Sequence, residues 1–97
     1  MKGKERSYLK SLANGIDAIF QIGKGGITPN FIEQVKLALE ARELIKITVL
    51  DNCDLETKEA ATEVVDLVEG ELVQVIGKKF VIYKESKENK NIHIPKR

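Results

Sequence analysis

A four-residue glycine turn, Gly23-Lys24-Gly25-Gly26, separates an alternating apolar run that ends at Ile22 from a helical pattern that opens with Thr28-Pro29. The chain must therefore leave a strand, turn within a few residues and enter a helix, which commits the fold to a β-to-α connection. The same turn has a chemical side. A strand-to-helix glycine loop presents bare backbone N–H groups at the positive end of a helix dipole, and Lys24 adds a cation at its tip. Such a loop is a seat for an anion, a phosphate foremost.

On either side of the loop, periodicity assigns the rest of the chain. From Lys4 to Asn14, Tyr8, Leu9 and Leu12 share one helical face, and Asn14-Gly15 stops the helix. Lys2, Arg6 and Lys10 are spaced four apart, which makes a basic stripe if the helix reaches the N-terminus. Ile16 to Ile22 reads as a strand, with Ile16, Ala18, Phe20 and Ile22 on one side and Ile19 on the other. Thr28 is the N-cap of the next helix and Pro29 its first residue, with Phe31, Ile32, Val35, Ala38 and Leu39 as its buried face. The β-branched run from Leu44 to Leu50 makes a second strand. Asp54 is the expected cap of a third helix that turns Leu55, Ala60, Val64, Leu67 and Val68 inward and closes at Gly70. Glu71 to Ile76 and Phe80 to Glu85 are two further strands around a Gly77-Lys78-Lys79 turn. Ser86 to Asn91 is polar and expected to be mobile, ahead of Ile92-His93-Ile94-Pro95.

The expected fold class is α/β, of order α-β-α-β-α-β-β, with two right-handed crossovers and a hairpin building a mixed four-stranded sheet with helices packed on it. Ninety-seven residues suffice for one domain and not for two, so residues 1–97 are read as a single unit whose segment 86–97 is a partly mobile tail. The pattern leaves the strand order open.

The net charge of +1 hides an uneven distribution. From Asp51 to Glu71 there are eight acidic side chains against Lys58 alone, whereas from Leu72 to Arg97 there are seven basic ones against Glu85 and Glu88. An acidic third helix and a basic end follow. Cys53 is the single cysteine, so no intrachain disulfide and no C-x-x-C pair exists. The basic N-terminus is not followed by an apolar leader segment, and no apolar run nears the ~20 residues that span a bilayer. A cytoplasmic location is expected.

A G-x-x-G turn alone is as readily an ordinary connection as a binding loop; Lys24, the well-capped helix behind it and cations elsewhere favour binding. Lys2, Arg6, Lys10, Lys46, Lys78, Lys79, Lys84 and the tail lysines are available to extend a phosphate contact, although each by itself is an ordinary solvated cation. Lys46 alternates with Ile45 and Ile47 and so points to the other face of its strand. Arg42 fits the structural role of a cation at a helix C-terminus. The spacing is neither that of a P-loop nor that of a dinucleotide fingerprint, which leaves phosphate binding without phosphoryl transfer. His93 is the lone histidine and Cys53 has no neighbour that would activate it, so no catalytic set, cofactor or metal site is expected. Asp51, Asp54, Glu56, Glu59, Glu63, Asp66 and Glu69 are the wet face of the third helix, or a surface that repels nucleic acid and docks a basic protein.

Gly23-Lys24-Gly25-Gly26-Ile27-Thr28, then Glu43-Leu44-Ile45-Lys46-Ile47, then Val73-Gln74-Val75-Ile76-Gly77-Lys78 running into Phe80-Val81-Ile82-Tyr83-Lys84 resemble the CRM domain. The likeness is closest to the bacterial stand-alone proteins of the YhbY type, including the closing Ile92-His93-Ile94-Pro95. That resemblance implies an RNA-binding protein associated with precursors of the large ribosomal subunit, with rRNA as partner and ribosomal proteins as neighbours. It also implies a fold similar to the C-terminal domain of translation initiation factor three, and a G-x-x-G loop that clamps the nucleic-acid backbone as in KH domains. The RNA-contacting residues it points to are Gly23, Lys24, Gly25 and Gly26; Lys2, Arg6, Lys10, Lys46 and Lys84 extend the cationic footprint. Tyr8 and Phe31 fit core faces, which leaves Tyr83 as the aromatic available for stacking and favours recognition of shape and phosphate.

Overall fold

The computed structural model describes residues 3–88, 90 and 92. Helix α1 (Gly3–Ala13) leads to strand β1 (Ala18–Ile22), helix α2 (Pro29–Arg42), strand β2 (Leu44–Val49), helix α3 (Thr57–Val68) and the hairpin of β3 (Glu71–Ile76) with β4 (Lys79–Tyr83). The strands lie in the order β1-β2-β4-β3. Strands β1 and β2 are parallel, as a helical crossover requires, and β4 runs antiparallel to both its neighbours. The crossover through α3 skips one position, and β4 folds back into the gap.

Alternation along β2 divides the interior in two. Ile45, Ile47 and Val49 face Ile32, Val35 and Leu39 of α2 and Ala60, Val64 and Val68 of α3, with Phe80 and Ile82 from β4 completing that core. Leu44 points the other way, into a smaller core with Leu9 and Ala13 of α1, Val73, Val81 and Tyr83. Two helices thus cover most of one face, while α1 covers only part of the other. Phe20 and Phe31 meet edge to face at 5.7 Å on the two-helix side, joining the end of β1 to the start of α2.

Local chemistry moves several boundaries. Strand β1 begins at Ala18, and its register shifts between Ala18 and Phe20: Ala18 pairs with Lys46 and Phe20 with Ile47. The irregularity at Ile19 places Ala18 on the opposite face from Phe20 and Ile22, against the simple alternation, and Ile16 packs with the α1 core instead. Helix α3 is capped by Glu56 rather than Asp54. The Glu56 side chain accepts from the Glu59 N–H while the Glu59 carboxylate accepts from the Glu56 N–H at 3.0 Å, a reciprocal arrangement available only at that spacing. At its far end Leu67 is half exposed and Ala61 takes the buried position. Glu69 carries the left-handed φ of 58° and Gly70 donates to the Val65 carbonyl. A Cβ at Gly70 would lie 3.1 Å from the Tyr83 carbonyl oxygen. The β3–β4 turn is the two residues Gly77-Lys78, so Lys79 lies in the strand, paired with Ile76.

Strand β4 ends at Tyr83, and the beginning of the stretch expected to be mobile is tied down. Glu43, with φ of 67°, ends α2 and is fully buried. Its carboxylate accepts the N–H groups of Ser86 and Ile92, both at 2.7 Å. One turn earlier, Glu40 accepts from the Ser86 hydroxyl at 2.6 Å and from the N–H groups of Lys87 and Glu88.

Candidate nucleic-acid interface

The glycine loop is a tight turn in which the Gly26 N–H donates to the Gly23 carbonyl at 2.9 Å. Lys24 and Gly25 occupy the tip, and among the described residues their N–H groups make no hydrogen bond. Gly26 follows with φ of 70°, a value that favours glycine. A Cβ on Gly25 would meet nothing within 4 Å, so the tip stands clear of the protein. Gly23 is packed more closely, 3.4 Å from the Asn52 side chain as measured from a built Cβ. Helix α2 behind the loop uses most of its own terminal donors: Thr28 Oγ1 accepts from Phe31 N–H at 3.1 Å, Ile32 N–H donates to the Thr28 carbonyl, and Pro29 has none. Among the described residues the Asn30 N–H makes no hydrogen bond either, so free donors remain both in the turn and at the positive end of the helix.

Sheet topology brings further cations to this end. Because β4 runs opposite to β1 and β2, the Gly77-Lys78 turn lies at the same edge as the glycine loop, and Val49 N–H donates to the Lys78 carbonyl at 2.7 Å. Lys78 lies 2.9 Å from Asp51, an exposed pair worth little in stability and open to exchange for another anion. Lys79 pairs with Thr48 and shares its side of the sheet.

Below that edge lies the part of the sheet that α1 leaves uncovered. Lys46 and Thr48 from β2, Gln21 from β1, Gln74 from β3 and Lys79 from β4 alternate with core residues and project to this side. Lys46 is half-buried among its neighbours; Gln21 and Lys79 are exposed. Leu12 of α1 lines a cavity with Arg42, Leu44 and Ile92 at the end of the sheet away from the glycine loop. Arg6 and Lys10, one helical turn apart and both exposed, sit on the flank of that helix away from Leu12.

The structure separates one expected residue from this set. Lys84 is at the other end of the sheet, where its Nζ donates to the Val68 carbonyl at 2.8 Å and closes the C-terminus of α3. Lys2 lies outside the described residues, as do His93 to Pro95. Lys78 and Lys79 join instead; only the strand pairing, which periodicity does not reveal, puts them beside the loop. Tyr83 is buried in the α1 core, so it offers no stacking surface. Desolvation, with Glu43, Glu85, Glu71 and Glu5 nearby, pushes its phenol up to about 12.

Comparison with known proteins identifies the family. Residues 1–84 match the CRS1 / YhbY (CRM) domain. The chain is 48% identical over 95 residues to a Bacillus subtilis (strain 168) protein named "Probable RNA-binding protein YqeI", covering 98% of this chain and 99% of that one. It is 33% identical over 95 residues to a Haemophilus influenzae protein named "RNA-binding protein", covering 97% and 94%. The solution structure of a hypothetical protein from Staphylococcus aureus superposes with a TM-score of 0.81 at 55% identity, covering 98% of this chain and 99% of that one. With the family matched over residues 1–84 and a relative 48% identical along nearly its whole length, this chain belongs to the CRS1/YhbY (CRM) domain family.

Proposed function

We propose that the chain is a non-enzymatic RNA-binding protein that holds phosphates at the tip of the glycine loop. The observation that carries this reading is the pair of unpartnered amides at Lys24 and Gly25, set beside a lysine in open space. Two amides and one cation bind a phosphate only modestly, and the lysines of the sheet face supply the additional contacts that useful affinity requires. The relatives named as RNA-binding support the choice of polymer. The double variant Lys24→Asp/Gly25→Asp is expected to keep its circular dichroism spectrum and lose at least about tenfold in affinity for a structured rRNA fragment, because it puts two negative charges where phosphate would sit. Unchanged affinity in the folded variant removes the loop from the site.

The resemblance to YhbY-type proteins extends the proposal to precursors of the large ribosomal subunit in the cytoplasm. Sucrose-gradient sedimentation of the tagged protein at low and high salt tests it: co-migration with large-subunit precursors that is lost at high salt is the expected result. Absence from every ribosomal fraction at low salt overturns the assembly role. A second reading draws on Glu56, Glu59, Glu63 and Asp66, which line a shallow groove on the outer side of α3. That surface suits a basic ribosomal or assembly protein. Association that survives nuclease and disappears on charge reversal at Glu59, Glu63 and Asp66 would establish it.

A further inference from the structure

We propose that the face of the sheet left open by α1 is a platform for duplex RNA, contacted across its minor groove, with the two framing sets of cations on opposite strands. The inference rests on the RNA-binding reading above and concerns the form of RNA that fits.

Three observations carry it. First, the face has no ring to offer a splayed base. Phe20 and Phe31 pair with each other on the opposite side, Phe80 and Tyr83 are buried, and half-buried Tyr8 lies on the Leu12 flank of α1, one turn from Leu12 and away from Lys10. Single-stranded recognition on a sheet depends on stacking of unpaired bases against aromatic side chains, and that contribution is missing here.

Second, what the face offers is a set of short, uncharged hydrogen-bonding groups. Gln21, Thr48 and Gln74 lie on three different strands, and Gln21 and Thr48 are directly paired. Amides and hydroxyls at this spacing are matched to the 2′-hydroxyls and base edges that the wide, shallow minor groove of A-form RNA displays. Ile76, 54% exposed beside Lys79, adds an apolar contact of the kind a ribose accepts.

Third, the cations are divided. Lys24, Lys78 and Lys79 stand at the loop end, and Arg6 and Lys10 stand on the flank of α1 away from Leu12, whose cavity is at the far end of the sheet; that geometry sets the uncharged residues and Lys46 between the two groups. A single strand following one phosphate track would be served by one line of charge. Two lines on either side of a hydrogen-bonding floor fit two phosphate tracks on either side of a groove.

The test compares four probes at one salt concentration by fluorescence anisotropy: an RNA duplex of about 16 base pairs, enough to span successive minor grooves, each of its strands alone, and a DNA duplex of the same sequence. The RNA duplex is expected to bind at least about tenfold more tightly than either single strand or the DNA duplex. Gln21→Ala/Gln74→Ala should narrow the RNA-to-DNA ratio by about three- to tenfold, since it removes groove contacts and leaves the phosphate contacts in place. Lys46→Glu should weaken both duplexes together. Single strands bound as tightly as the duplex, or an RNA-to-DNA ratio unmoved in the folded glutamine variant, overturns the platform while the RNA-binding reading stands. Binding to none of the RNA probes overturns both.

Discussion

The two ends of the sheet solve opposite versions of one problem. At the end where α2 finishes, Glu43 and Glu40 bring carboxylates to backbone N–H groups of the chain that follows β4, and five donors are satisfied within the molecule. At the end where α2 begins, the Lys24 and Gly25 N–H groups lie in an exposed turn beside the lysine side chain, and no carboxylate of the described residues accepts from them. The first end has filled its amide sites with its own anions. The second leaves them open, and on the proposed reading an anion from outside fills them; that distinction separates a structural anchor from a proposed binding site more clearly than the residue types do.

If the contrast is right, variants at the anchor end should move stability and leave affinity alone, and variants at the loop tip should do the reverse. The largest effect is expected for Glu43→Ala. It orphans the N–H groups of Ser86 and Ile92 in a buried setting, at a cost of about 2–4 kcal/mol in urea denaturation, with RNA affinity within about twofold of the parent. A stable variant would break the anchor half of the comparison. Next, Gly26→Ala should lose about 1–2 kcal/mol because its φ of 70° is costly for an L side chain, whereas Gly25→Ala, in open space, should be within about 0.5 kcal/mol of neutral. Equal losses at both positions would place the strain elsewhere in the turn. Thr28→Ala should cost about 1 kcal/mol in thermal unfolding through loss of its bond to Phe31 N–H.

The smallest expected effects come from titration. Hydrogen bonds from Ser86, Glu88 and Lys87 hold the Glu40 carboxyl below its ordinary value of 4.5. Its contribution is therefore present above that value and is lost as pH falls through the lowered one. Amide exchange at Lys87 and Glu88 should become faster on acidification, relative to intrinsic rates, before the sheet opens. Tyr83 runs the other way: its raised value makes its contribution complete below pH 10.0 and lost as pH rises toward about 12. Tyrosinate absorbance near 295 nm should show one phenol that ionises only at that upper limit, and a normal titration would mean that the α1 core is open.

Much of the local structure was readable in advance. The glycine loop, the Thr28-Pro29 start of α2 and the order of all seven elements depend on neighbours within a few residues, where capping, turn chemistry and periodicity act. Misreadings fell where two local signals competed. Asp54 is a good cap in isolation, but Glu56 and Glu59 satisfy each other's donors and displace it by two residues. Alternation failed in β1 because one residue is bulged, and an unpaired residue is invisible to period counting.

The sequence by itself determined most of the inward residues of the helices, Leu67 and Ala61 of α3 excepted, where the chain turns, and that a bare glycine loop precedes a capped helix, because these depend on short-range sterics and hydrogen bonding. Tertiary structure decided which cations lie together. Strand order brought Lys78 and Lys79 to the loop and sent Lys84 to the C-terminus of α3. It also buried Glu43, whose role as an anchor for residues more than forty positions away rests on a contact that no local pattern encodes. Long-range pairing places side chains that are far apart in the chain at one surface, and that placement separates a lysine that can meet an outside phosphate from one that closes a helix.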